Sequence, residues 1–164
     1  MIIHDLSPEQ AEQVLAKTED DNVICDKQTI HNCIGCFGCW IKTPGQCVIK
    51  DGYETMGAQL ARTKELLVIS RMNYGGFSPF VKNVFDRSIS YLHAYFKIRN
   101  KEMHHRRRYD NVIRLRVIFY GDDITQEEKD TANGYMEAVS VNLDARLEEI
   151  RFIKMKELME GDLC

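Results

Sequence analysis

Apolar positions along the chain alternate between short continuous runs and helical spacings. Met1 to Leu6 (MIIHDL) is an apolar start that predicts a first strand. Ser7 and Pro8 then supply an N-cap and an N1 proline, and Ala11, Val14 and Leu15 recur at helical spacing as far as Thr18. Asp20-Asp21-Asn22 predicts a turn before a second strand, Val23 to Asp26. From Asn32 to Lys50 the period is broken by Gly35, Gly38 and Pro44-Gly45, so this stretch reads as a loop. Asp51 is placed to cap a helix with Tyr53, Met56 and Leu60 on one face.

Glu65 to Ser70 (ELLVIS) is a continuous apolar run, as a central strand buried on both faces requires. Arg71 to Phe77 reads as a loop, and Ser78-Pro79 opens a helix with Val81, Val84, Phe85, Ser88, Ile89 and Leu92 as its buried stripe. Lys97 to Arg108 is polar and basic, the pattern of an exposed loop. Val112 to Tyr120 predicts a fourth strand. Glu127 to Leu143 predicts a helix with Ala132, Tyr135, Met136 and Val139 inward, and Leu147 to Ile153 a less apolar strand suited to a sheet edge. Five strands with intervening helices predict an α/β fold with a doubly wound parallel sheet. Ligands then belong beyond the carboxyl ends of the strands, where the loops after Ser70 and Tyr120 lie.

Length and charge narrow the picture. The 164 residues suit one domain, 1–164, with one core. A net charge of -3 gives no positive field for nucleic acid or anionic membrane. No apolar stretch approaches the ~20 residues that span a bilayer. The start, Met1 to Asp5, lacks the pattern of a signal peptide, so a cytoplasmic location is expected.

Cysteines add candidate chemistry. Cys33, Cys36, Cys39 and Cys47 follow C-x2-C-x2-C-x7-C inside the 32–50 loop, a spacing that lets several thiolates converge. Three readings stay open: free or redox-active thiols, a [4Fe-4S] cluster, or zinc. Cys25 and Cys164 stand apart from the group. His4, His31 and His93 are isolated and read as core or surface residues.

Two blocks carry a family resemblance. Cys33-Ile-Gly-Cys-Phe-Gly-Cys-Trp40 with Thr43-Pro-Gly-Gln-Cys-Val-Ile-Lys-Asp51 resembles the cysteine-rich loop of flavodoxin-like NAD(P)H-dependent FMN reductases and iron–sulfur flavoproteins. Ser70-Arg-Met-Asn-Tyr-Gly-Gly-Phe-Ser-Pro-Phe-Val-Lys-Asn-Val-Phe-Asp-Arg87 resembles the flavin loop and following helix of the same family. The resemblance implies a flavodoxin-like five-stranded parallel sheet of order 2-1-3-4-5 with helices on both faces, assembled as a homodimer. It further implies an oxidoreductase that binds FMN, takes electrons from NAD(P)H and passes them to a small-molecule acceptor or a redox protein. By position, Ser70, Met72, Asn73, Tyr74, Gly75 and Gly76 would hug the flavin ring, and Tyr120 and Gly121 would form the other wall. The amides of Gly75 and Gly76 would face the ring. Ser7 and Gln10 would hold the phosphate, and the four loop cysteines are the candidate metal ligands. Hydride transfer needs geometry rather than an acid or base from the protein, so no catalytic residue is nominated.

Local chemistry departs from the family at one place. The stretch Asp5-Leu-Ser-Pro-Glu-Gln10 replaces a glycine- or Ser/Thr-rich phosphate loop, with Pro8 lacking an N–H and Asp5 and Glu9 adding negative charge. A cofactor-free module of the same fold is the alternative this raises. The basic residues Lys97, Arg99, Lys101, His104, His105, Arg106, Arg107 and Arg108 are read as a solvated run, or as a group that reaches a phosphate in a partner subunit or the nicotinamide nucleotide.

Overall fold

The side chains of two neighbouring strands divide the protein into two layers. In the computed structural model, which describes residues 1–16, 18 and 22–161, β3 (Glu65–Arg71) lies beside β6 (Arg114–Tyr120) in parallel register, with Val68 opposite Val117 and Ile69 opposite Ile118. Successive side chains of a strand point to opposite faces. Leu66 and Val68 with Leu115, Val117 and Phe119 therefore enter one core, and Ile69 with Ile118 and Tyr120 enters the other. Both faces are buried, which is why Leu66–Ile69 and Val117–Tyr120 read as continuous apolar runs.

The sheet adds β1 (Ile2–His4), β2 (Val23–Ile24) and β7 (Arg146–Ile153), giving five parallel strands in the order β2-β1-β3-β6-β7. Numbering only the strands of this sheet, the order is 2-1-3-4-5, as expected. β7 is an edge, as its weaker apolar pattern predicts.

The larger core is covered by α3 (Met56–Ala61), α4 (Pro79–Arg87) and α5 (Gln126–Leu143), through Met56, Leu60, Val81, Val84, Ala132 and Met136. The smaller one is covered by α1 (Pro8–Val14) and α6 (Met155–Met159), through Val14 and Leu158. Ser78 Oγ accepts from Val81 N at 3.4 Å, and a capping box joins Thr125 to Glu128, so the two long helices begin where side-chain acceptors meet otherwise unpaired amides. No helix among the described residues is long and apolar enough to cross a membrane.

Three expectations change. The stripe from Val81 to Leu92 is not one helix: α4 ends at Arg87, residues 89–91 form a 3-10 turn, and Leu92 begins β4 (Leu92–Arg99). The basic stretch is not a plain loop either, because β4 pairs antiparallel with β5 (Glu102–Arg107) in a separate hairpin. Its turn residues Asn100 and Lys101 both have positive φ, 53° and 69°, the conformation of a two-residue type I′ connection. Lysine at the second position, where glycine is usual, hides the signal. Asp51, finally, caps no helix, since α3 starts at Met56 behind Thr55 and the Asp51 carboxylate is engaged elsewhere. Asp20 and Asp21 of the expected turn, and Cys164, lie outside the described residues.

The hairpin is fastened at two points. Asp144, just past α5, accepts from Lys97 Nζ at 2.6 Å, from Arg99, and from Arg107 Nε at 3.2 Å. Burial acts to raise the Asp144 pKa, but the hydrogen bonds from Arg99 and Lys97 outweigh it and bring it down to about 2. On the other side, His105 sits between two aromatic rings, 4.8 Å from Trp40 and 4.7 Å from Phe96 between centroids. Trp40 also donates its indole N–H to Leu92 O at 3.0 Å.

Candidate functional site

At the carboxyl end of the sheet, Asp5 ties three adjacent strands together. Its two carboxylate oxygens accept from Arg71 N at 3.1 and 3.0 Å, and one also accepts from the Tyr120 hydroxyl at 3.1 Å. Burial, and then the charge of Asp5, push the Tyr120 phenol well above its ordinary pKa, so it stays a donor at neutral pH.

The Ser70–Gly76 loop closes on itself. Asn73 N donates to Gly76 O at 3.1 Å and Gly76 N returns to Asn73 O at 3.0 Å, with Tyr74 and Gly75 at φ 50° and 78° between them. This tight turn leaves the Tyr74 side chain 89% exposed. Gly75 is required by conformation and by packing, because a Cβ there would lie 2.6 Å from Thr131 Cβ. Gly76 differs: its φ lies outside the left-handed region, and a Cβ would meet nothing nearer than Asn73 O at 3.6 Å. Ser70 is buried beneath the loop, accepting from Ser78 N at 2.9 Å and donating to Arg71 O at 3.0 Å. Met72 N donates to Tyr120 O at 2.9 Å, and the Cα side of Gly121 faces Ile124 and Met72.

The structure thus brings the two expected ring-side loops together. It changes what their atoms do. The Gly76 amide is turned inward to Asn73, and Ser70 braces the loop rather than facing outward.

Ser7 and Gln10 are engaged with each other. Ser7 N donates to Gln10 Oε1 at 2.9 Å, Gln10 N donates to Ser7 Oγ at 3.3 Å, and Ser7 Oγ donates to Glu9 Oε2 at 2.9 Å. The Glu9 carboxyl is held below its usual range, first by its own backbone N–H and then by Ser7.

The cysteine loop faces α4 and α5 across an open pocket of about 560 Å³ lined by Phe37, Trp40, Phe85, Tyr135, Val139 and Leu143. The four loop thiols also line it. Within the loop, α2 (Gly38–Ile41) is a single turn entered through Phe37 at φ 57°, and Gly38 sits so close to Val48 that a Cβ would be 2.5 Å from Val48 Cγ1. Cys33 and Cys36 are exposed, Cys39 is half-buried and Cys47 is buried, all as free thiols. Burial raises the Cys39 pKa, and the neighbouring Cys47, Cys33 and Cys36 push it the same way. The thiols share one neighbourhood, yet among the described residues no group of three or more His, Cys, Asp or Glu side chains is arranged to hold a metal ion.

Sequence patterning missed the residue that organises this loop. Arg87 is buried, and its Nη atoms donate to His31 O at 2.8 Å, to Ile49 O at 3.2 Å and to both Asp51 oxygens. Its Nε alone lacks a formed hydrogen bond, and the Cys47 thiol is the further group that acts on this guanidinium. An arginine inside a predicted apolar helix stripe was the available signal, legible only with the partner carboxylate known.

Sheet order, layering and the loop arrangement at the carboxyl ends define a flavodoxin-like α/β protein. Among solved structures, the chain is similar to the Trp repressor binding protein from Bacillus subtilis, with a TM-score of 0.55 and 13% identity, over 93% of this chain and 84% of that one. The likeness is one of fold. No protein-family model matches the chain, and no curated protein matches it by sequence.

Proposed function

We propose that the protein is a flavin-dependent oxidoreductase that takes electrons from NAD(P)H and passes them to a small-molecule or protein acceptor. The observation that carries this reading is Gly76. Neither backbone conformation nor packing inside the protein asks for glycine there, so the bare backbone suits close approach by a flat ligand from outside. It stands beside the exposed Tyr74, at the end of the sheet where this fold receives its ligands.

The resemblance to FMN reductases names the cofactor, and the residues present fit its two ends differently. The ring end is suited: Tyr74 offers a stacking face, Met72 and Asn73 an edge, and the backbone at Tyr120–Gly121 the second wall, with the Tyr120 ring itself buried. The phosphate end is not, because Ser7 and Gln10 are closed into a capping box beside two carboxylates. A bound flavin supplies two-electron chemistry, accepting a hydride from the nicotinamide and releasing electrons to the acceptor. The protein's own part is positional. Asp5 locks the ends of β1, β3 and β6, and Ser70 and Gly75 fix the loop that presents the ring surface.

The test is titration of purified protein with flavin, followed by fluorescence quenching, for the native chain and Gly76→Ala. The variant should keep its melting temperature and bind flavin at least tenfold more weakly. A native protein that binds no flavin overturns the reading.

A second reading, that the cysteine loop also holds a [4Fe-4S] cluster as an electron relay, is favoured by Arg87. A buried guanidinium N–H without a formed partner beside Cys47 suits a sulfide or thiolate acceptor. Anaerobic reconstitution with iron and sulfide, checked for broad absorbance near ~400 nm, tests it. Metal would require the exposed Cys33 and Cys36 to swing toward Cys39 and Cys47.

A further inference from the structure

We infer that the flavin site is indifferent to the terminal phosphate: its ligand class is the ribityl-isoalloxazine, with riboflavin accepted as well as FMN. This rests on the flavin reading above and extends it to what the site recognises.

A phosphate in a strand–turn–helix site is held by unpaired backbone N–H groups and by side-chain donors. Along the turn from β1 to α1, the donors that could do this are engaged. Leu6 N donates to His4 Nδ1 at 3.2 Å. Ser7 N donates to Gln10 Oε1, and Gln10 N donates to Ser7 Oγ. Pro8 has no N–H. The Ser7 hydroxyl donates to the Glu9 carboxylate at 2.9 Å, and the Gln10 side-chain amide donates to Met155 Sδ at 3.7 Å. Across the crevice, Arg71 N and the Tyr120 hydroxyl are both taken by Asp5.

Charge does not compensate. On the turn itself, residues 5–10, the charged groups are the carboxylates of Asp5 and Glu9, which repel a dianion. The helix behind the turn has seven residues and starts on its own capping box, so it adds little dipole to an anion. The ring surface at Tyr74, Gly76 and Gly121 is unaffected by any of this.

A phosphate entering here would have to break the box and meet two carboxylates. The site therefore discriminates by the ring alone, and the flavin exchanges rather than staying as a tightly held group.

The experiment compares riboflavin and FMN by flavin fluorescence quenching on the native chain, with inorganic phosphate as a competitor. The expected result is a pair of dissociation constants within about threefold of each other, neither moved by millimolar phosphate. In Glu9→Lys, which frees the Ser7 hydroxyl from the Glu9 carboxylate and puts a cation in place of an anion, FMN should gain at least fivefold over riboflavin while the melting temperature holds. FMN binding tenfold or more tightly than riboflavin to the native chain overturns this inference and leaves the flavin reading standing. Binding of neither overturns both.

Discussion

Arg87 Nη1 and Nη2 each donate to a different oxygen of Asp51, at 2.6 and 2.9 Å, with both side chains buried. The pair joins residues 36 positions apart and fixes the start and end of the cysteine loop, because the same two groups also hold His31 and Ile49. Asp51 is held well below the usual carboxylate range, chiefly by the Arg87 hydrogen bond, with the His31 and Tyr53 amides assisting. A buried pair of this geometry earns its place by position: removing one partner strands the other charge away from water.

Arg87→Ala or Asp51→Ala should destabilise the protein by about 3–5 kcal/mol, read from denaturant unfolding. Arg87→Lys should recover part of that loss, since a single ammonium cannot bridge both oxygens. The native Asp51 pKa is depressed, so its contribution is present above the unfolded value of about 4 and is lost as pH falls through the lower native value. The Asp51→Ala variant should show a shallower loss of stability over that acid range.

Two glycine variants should move in opposite directions. Gly75→Ala meets Thr131 at 2.6 Å and must hold φ at 78°, so a loss of about 1–3 kcal/mol is expected. Gly134 lies inside α5 in open space, and Gly134→Ala should add about 0.5–1 kcal/mol. Thermal melts of both, side by side, check the packing of α5 over the Tyr74 turn.

Asp144→Ala should release the β4–β5 hairpin without unfolding the sheet. The expected signs are faster tryptic cleavage after Lys97, Arg99 or Lys101 and a red-shifted emission from Trp40, the single tryptophan. In the native chain the Asp144 carboxylate stabilises above the unfolded value and loses that role as pH falls from about 4 to about 2. Hairpin release measured by Trp40 emission should follow that window.

Thiol reactivity should be graded. Cys33 and Cys36 react first with an exposed-thiol reagent at neutral pH, Cys39 follows slowly because burial raises its pKa, and Cys47 reacts only on unfolding. Arg87→Ala should bring Cys47 forward, since the pair that closes the loop over it is gone. Equal rates at all four positions would contradict the arrangement.

The sequence by itself determined the sheet. Leu66–Ile69 and Val117–Tyr120 are apolar without interruption because both faces of a central parallel strand are covered, and β7 reads as an edge because one side has no partner strand. Ser78-Pro79 marks a helix start, and it works through atoms within one turn of chain. The cysteine spacing and the Tyr74-Gly75-Gly76 turn were legible for the same reason. What tertiary structure decided involves partners far apart in the chain. Asp51 has the look of a helix cap, yet its carboxylate goes to an arginine in another helix. The basic run of β4 and β5 reads as solvated loop until Asp144 gathers three of its cations. Ser7 and Gln10 look free to meet a phosphate, and only the closed geometry of their box, with Asp5 taken by Arg71 and Tyr120, shows each donor already paired. Local pattern records which groups a segment carries; whether a group remains available depends on what the fold brings within about 3 Å of it.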